Sequence, residues 1–112
     1  MIEVVLRQKH AATIVSIKGD VDLYSSPQVR KAIIALAEKR APVILVDLHQ
    51  VGYMDSSGVA TLVEGLQQAG KYKGKFKLFG LTSAVREVFE LSRLDKVFEI
   101  YPNEDAAFGS LA

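Results

Sequence analysis

The segment Asp55-Ser56-Ser57-Gly58 brings a carboxylate and two hydroxyls together at the head of an amphipathic run, in which Val59, Leu62, Val63, Leu66 and Ala69 share one side. Asp and Ser at such a place cap a helix, because their oxygens accept bonds from first-turn N–H groups that have no partner within the helix. The same place suits a phosphoryl acceptor. No turn covers a serine at a helix N-terminus, and a phosphate there would meet free N–H donors and the positive end of the dipole. The added charge of about −1.5 to −2 would leave the fold intact and act on whatever docks there, through repulsion and the cost of desolvating a dianion. The residues alone leave two readings open, a plain helix cap, which such segments commonly are, and a cap whose serine switches a binding surface.

Other residue sets offer competing chemistry. Asp20, Asp22, Asp47, Asp55, Lys77 and Lys96 supply the types needed for phosphorylation on aspartate, where magnesium chemistry needs carboxylates gathered from several strand ends. Ser56 with His10 or His49 and an aspartate supplies the types of a hydrolytic triad, but the Gly-x-Ser-x-Gly elbow is absent and the chain is short for that fold. Two isolated histidines without cysteine argue against a dedicated zinc site, and no Gly-rich loop cradles a phosphate, so neither metal nor cofactor is expected. Lys71-Tyr72-Lys73-Gly74-Lys75-Phe76-Lys77 interleaves basic and aromatic residues, yet 14 basic against 13 acidic side chains leave a net charge of +1. That segment reads as a solvated turn entering a strand, and no direct nucleic-acid contact is expected.

The elements that must position Ser56 follow from periodicity. Glu3–Arg7 and Thr13–Gly19 read as strands joined across Gln8–Ala12, a hairpin length that implies antiparallel pairing. Ser25 or Ser26 can cap a helix with Pro27 in its first turn, and Val29, Ala32, Ile33, Leu36 and Ala37 recur at helical spacing. Lys39 and Arg40 complement its negative end, and Pro42 stops it. Val43–Leu48 alternates little, as a central strand covered on both faces does. The helix opened by Asp55–Gly58 carries Gly65, which helix propensity prices about 1 kcal/mol above alanine; Gly70 and Gly74 bracket its exit. Phe76–Phe79 reads as a fourth strand, and Thr82 or Ser83 caps a helix bearing Val85, Val88 and Phe89. Val97–Tyr101 is a fifth strand, and Pro102-Asn103-Glu104-Asp105 opens a short last helix. Phe76, Leu78, Phe79, Phe89, Leu91 and Leu94 are core candidates. The order β-β-α-β-α-β-α-β-α predicts an α/β single domain over residues 1–112: a mixed sheet with an N-terminal antiparallel hairpin, then α-β units, with about four helices packed on it. The opening hairpin departs from the continuous β-α alternation of an aspartate-phosphorylated receiver.

Composition narrows the setting. The 112 residues suffice for one core, and three prolines with nearly half the residues apolar argue against disorder. No apolar run approaches the roughly 20 residues of a membrane span, and Met1–Arg7 lacks the features of a signal peptide. The absence of cysteine suits the cytoplasm, the expected location, and no membrane partner is expected.

Taken in this order, Gly19-Asp20-Val21-Asp22, Val43–Leu48, Tyr53–Gly58 and Leu91–Phe98 resemble the STAS anti-sigma factor antagonists, in which a buried strand leads into Met-Asp-Ser-Ser/Thr-Gly and then a helix. The resemblance spans nearly the whole chain. It implies a non-enzymatic domain whose Ser56 is phosphorylated by a partner anti-sigma factor that is also a serine kinase. The unphosphorylated form would bind that kinase and free its sigma factor, phosphorylation would abolish binding, and a PP2C-type phosphatase would reset it. It also implies partner contacts at Asp20, Asp22, Asp55, Ser56, Ser57 and Gly58, with the Asp20–Asp22 turn beside the serine loop. Asp20 is shorter than the glutamate usual there, and Ala60 stands where many relatives have glycine. The alternative within the resemblance is an interaction subunit of another partner-switching or transport assembly.

Overall fold

The computed structural model describes residues 2–112, in which the chain runs β1 (Glu3–Lys9), β2 (Ala12–Lys18), α1 (Ser26–Glu38), β3 (Val43–Gln50), α2 (Ser56–Gly70), β4 (Lys75–Phe79), α3 (Ser83–Leu91), β5 (Glu99–Tyr101) and α4 (Glu104–Gly109). The sheet order is β1-β2-β3-β4-β5, with β1 antiparallel to β2 and every later pairing parallel. The mixed sheet and opening hairpin are those expected. The hairpin turn is tighter than Gln8–Ala12: Lys9 pairs with Ala12, and His10 takes a left-handed φ of 57°. Gln8 and Thr13 face each other, and the Gln8 amide Nε2 donates to Thr13 Oγ1 at 2.8 Å.

Alternation along β3 divides two cores. Ile44, Val46 and Leu48 join Ile33 and Leu36 of α1, Leu62 of α2 and Phe89 of α3 in the larger one. Leu45 joins Ile14, Phe79 and Ala107 on the opposite face, under α4. Three crossover helices thus cover one face and a short helix the other, which is why β3 is a nearly unbroken apolar run. Asp47 also turns to the α4 face. It is 5% exposed and accepts bonds from Ser16 Oγ at 3.2 Å and the His49 backbone N–H at 3.0 Å, with His49 Nδ1 at 2.6 Å.

Several boundaries differ from the sequence reading. Asp22, not Ser25 or Ser26, organises the entry to α1: its Oδ1 accepts from the N–H groups of Tyr24 at 2.9 Å and Ser25 at 3.0 Å, and Ser25 makes no side-chain cap. Lys39 and Arg40 fall beyond the last turn of α1, where Arg40 is left-handed with φ 56°. β5 begins at Glu99 because a single 3-10 turn, Leu94–Lys96, takes up the preceding chain. Leu91 is 78% exposed and is not core, whereas Phe89 is fully buried and Leu94 half-buried. Helical spacing puts Leu91 two residues past Phe89, hence on the outer side. The basic segment is divided too: Lys71, Lys73 and Lys75 are exposed, but Lys77 is buried, donating from Nζ to Ser110 Oγ at 2.9 Å and lying 3.2 Å from Glu99.

Gly65 reverses its expected sign. A Cβ there would lie 2.7 Å from Phe76 Cε2 and 2.8 Å from Ile33 Cγ2, so its absence lets α2 press on β4 and α1. Overpacking of this kind costs about 1–3 kcal/mol, more than the ~1 kcal/mol that alanine gains in propensity. Gly65→Ala should therefore lower the midpoint of urea unfolding. Gly70→Ala, where a Cβ meets nothing within 4 Å, should raise it. A midpoint raised by both substitutions would show that propensity, not packing, governs Gly65.

Candidate functional site

The site is built where β3 ends and α2 begins. Asp55 is extended, with φ −99° and ψ −172°, and its Oδ1 accepts from the N–H groups of Ser57 at 2.9 Å and Gly58 at 3.3 Å. The Ser57 hydroxyl donates to the same oxygen. Capping therefore belongs to Asp55, and Ser57 is half-buried against it. Ser56, the first residue of α2, is exposed. The two serines separate into a held one and an open one.

This cap alters what a phosphate on Ser56 would meet. Two first-turn N–H groups are already bound to the Asp55 carboxylate, so a phosphate would have an anion beside it instead of a free donor set. The Ser57 hydroxyl holds the Asp55 carboxyl below its ordinary range, partial burial opposes this, and the N–H groups of Gly58, Ser57 and Leu23 reinforce it. A depressed carboxyl stabilises the fold above its ordinary value of 3.8, and that contribution fades as pH falls through the lower folded value. In acid titrations the stability advantage of the parent over Asp55→Asn should be constant near neutrality and close below about pH 4. A gap that persists to about pH 2 would place the effect in shape, not charge.

The chain from residues 19 to 24 is stitched beside this cap. Gly19 N–H donates to Gln50 O at 3.1 Å, Val21 N–H to Tyr53 O at 2.9 Å, and Asp55 N–H to Val21 O at 3.1 Å, which makes Val21 and Met54 a parallel bridge. Gly19, with φ 114°, supplies the backbone turn. Gly58 lies beneath: a Cβ would stand 2.6 Å from Met54 Cγ and 2.8 Å from Val21 Cγ1, so the helix can approach the bridge only with glycine there. The turn Gly19–Asp22 and the serine loop are thereby neighbours.

Among the six residues assigned by resemblance, Ser56 and Asp20 are exposed, and Asp20 Oδ1 would be 3.7 Å from a Cβ on Gly52. Asp22 and Asp55 each direct one carboxylate oxygen to the backbone, Ser57 is held by Asp55, and Gly58 is buried. Sequence reasoning passed over three side chains. Leu23 is 68% exposed, Tyr24 91% and Tyr53 52%, and they flank the bridge that joins the two loops. An apolar pair directly after the turn-forming Asp22 was the available signal, since those positions precede the helical stripe.

The rival constellations are not assembled. Asp47, His49 and Lys77 lie on the α4 side of the sheet, away from Ser56, and His10 is in the hairpin turn at the other end of the strands. Among the described residues no group of three or more His, Asp or Glu side chains is arranged to hold a metal ion, and no helix is long and apolar enough to cross a membrane.

The family model described as STAS domain matches residues 3–107. An anti-sigma-B factor antagonist of Bacillus subtilis is 31% identical over 99 residues, covering 88% of this chain and 90% of its own. The anti-sigma-B factor antagonist of Listeria monocytogenes is 31% identical over 84 residues, 75% of this chain and 74% of its own. The crystal structure of an anti-sigma factor antagonist from Mycobacterium paratuberculosis superposes with a TM-score of 0.91 at 28% identity, covering 98% of this chain and 93% of that one.

Proposed function

The chain belongs to the STAS domain family of anti-sigma factor antagonists, and from that premise we propose that it is a non-enzymatic partner switch whose state is written on Ser56. In the unphosphorylated state it binds an anti-sigma factor that is also a serine kinase, displacing the sigma factor. Phosphorylation of Ser56 ends that binding, and a PP2C-type phosphatase restores it. Because the partners need ATP and a sigma factor, the exchange belongs to the cytoplasm.

One observation carries this reading: Ser56 is open on the first turn of α2 while its neighbour Ser57 is tied to Asp55. The docking surface we infer surrounds it, with Leu23, Tyr24 and Tyr53 as apolar anchors and Asp20 as an exposed carboxylate for a cationic side chain of the kinase. Asp22, Asp55, Ser57 and Gly58 serve the same contact by shaping the two loops. A phosphate on Ser56 adds its charge among Asp20, Asp22 and Asp55 and must be desolvated when the partner seats. The test is incubation with the candidate anti-sigma kinases and ATP, followed by mass spectrometric mapping. Phosphate on Ser56 alone is expected; phosphate centred on Ser57, or none, overturns the assignment.

Tyr24→Ala should weaken kinase binding about tenfold or more, as removal of an exposed aromatic anchor does, with no loss of thermal stability. Calorimetric titration of the unphosphorylated pair measures it, and unchanged affinity would remove Tyr24 from the interface.

A further inference from the structure

The sheet has one long open edge. All seven residues Glu3–Lys9 pair with β2 in unbroken register, with no bulge, proline or glycine among them, so what guards this edge is its charges, Glu3, Arg7 and Lys9, which only a strand of matching charge order can pair. The other edge, β5, has three residues. Because Lys9 and Ala12 flank a two-residue turn, Lys9, Arg7, Val5 and Glu3 exchange bonds with β2. Val4, Leu6 and Gln8 accordingly direct their N–H and C=O groups outward. At the middle of this edge Val5 is 48% exposed and Leu6 49%.

We propose that β1 pairs antiparallel with β1 of a second copy of this chain, about a two-fold axis at Leu6, joining two sheets into one. The choice of occupant rests on self-complementarity. In this register Leu6 faces Leu6, Val4 faces Gln8, Val5 faces Arg7 and Glu3 faces Lys9, and every outward-directed backbone group in the strand finds a partner. Opposed residues of an antiparallel ladder share a face. Leu6 thus meets Leu6 on the side where Val4 packs on the main core, and Glu3 meets Lys9 on the side of α4. A two-residue slip shortens the ladder and, in one direction, sets Arg7 against Arg7. Within its own chain Lys9 Nζ lies 3.2 Å from Glu104, which Arg7 holds more closely at 2.6 Å, and 5.0 Å from the Phe108 ring centre, so reaching Glu3 across the axis exchanges one exposed ion pair for another. The aliphatic stem of Arg7 covers Val5.

A single strand pair buries less than the ~1,200 Å² of a standard interface, so the dimer is weak and concentration-dependent. It uses none of residues 20–24 or 53–60, so it leaves the Ser56 surface open. Sedimentation equilibrium up to about 1 mM chain should show a dimer dissociating in the micromolar to millimolar range. Glu3→Lys and Lys9→Glu should each weaken it about tenfold, since each sets two like-charged pairs across the axis. The combined variant E3K/K9E should recover to within about threefold of the parent. Leu6→Pro removes an N–H that β2 does not use, and should abolish the dimer while circular dichroism stays native. A parent that is monomeric throughout, single charge variants that dimerise as the parent does, or failure of the combined variant to recover would overturn the pairing.

Discussion

Ser56→Ala should bind the anti-sigma kinase as tightly as the parent, and Ser56→Asp should bind it roughly 10- to 100-fold more weakly, about 1.4–2.8 kcal/mol. The side chain is exposed at the first residue of α2, so either substitution should change folding stability by no more than about 0.5 kcal/mol. The binding loss comes from surroundings the structure defines. Asp55 already occupies the Ser57 and Gly58 N–H groups, and Asp20 and Asp22 stand in the adjoining turn. A new negative charge at Ser56 therefore lacks the donors that would neutralise it within the domain. It is carried to the partner, where burying it without a cation is costly. Calorimetric titration of both variants against one kinase, with thermal melts in parallel, tests the two halves separately. Equal affinity of the two variants would reduce Ser56 to a helix-start residue, and a melt lowered only in Ser56→Asp would return the effect to the fold.

Gly58→Val should lower stability by about 2–3 kcal/mol, a fall in Tm of about 10 °C or more. Its Cβ would stand 2.6 Å from Met54 Cγ and 2.8 Å from Val21 Cγ1, and Val21 is a rigid β-branched side chain that is 1% exposed. The clash falls on the bridge that sets the Asp20–Tyr24 turn against the serine loop. Kinase binding should consequently drop further than the loss of folded protein accounts for, when measured at a temperature where the variant is fully folded. A variant that melts as the parent does would mean that Val21 and Met54 can move aside at no cost. One that melts low but binds normally would separate the bridge from docking.

The elements were legible because their signals are local. Helical spacing over Val29–Ala37 and Val59–Ala69, period-2 alternation at Val15–Lys18 and the unbroken run at Val43–Leu48 each report burial within a single element. Leu91 misled because its hydrophobicity was read without its helical phase: it stands two residues past the buried Phe89, on the outer side of α3, and is 78% exposed. Gly65 misled through its neighbours. Propensity sees a flexible residue in a helix, while Phe76 and Ile33, distant in the chain, occupy the space a side chain would need.

The Asp55-Ser56-Ser57-Gly58 segment marks the boundary between the two kinds of information. That a cap forms there, that it opens α2 and that a hydroxyl stands beside it were determined by the sequence, since bonds from Asp55 reach only two and three residues along the chain. Which serine is held follows from the same short reach, since the Ser57 hydroxyl donates to Asp55 two residues back, whereas the placing of Asp20 beside the serine loop and the exposure of Leu23, Tyr24 and Tyr53 around it were decided by the tertiary structure. Those facts depend on hydrogen bonds such as Val21 N–H to Tyr53 O, which join residues far apart in sequence. They form only once β2 and β3 lie side by side, and no local pattern encodes that placement.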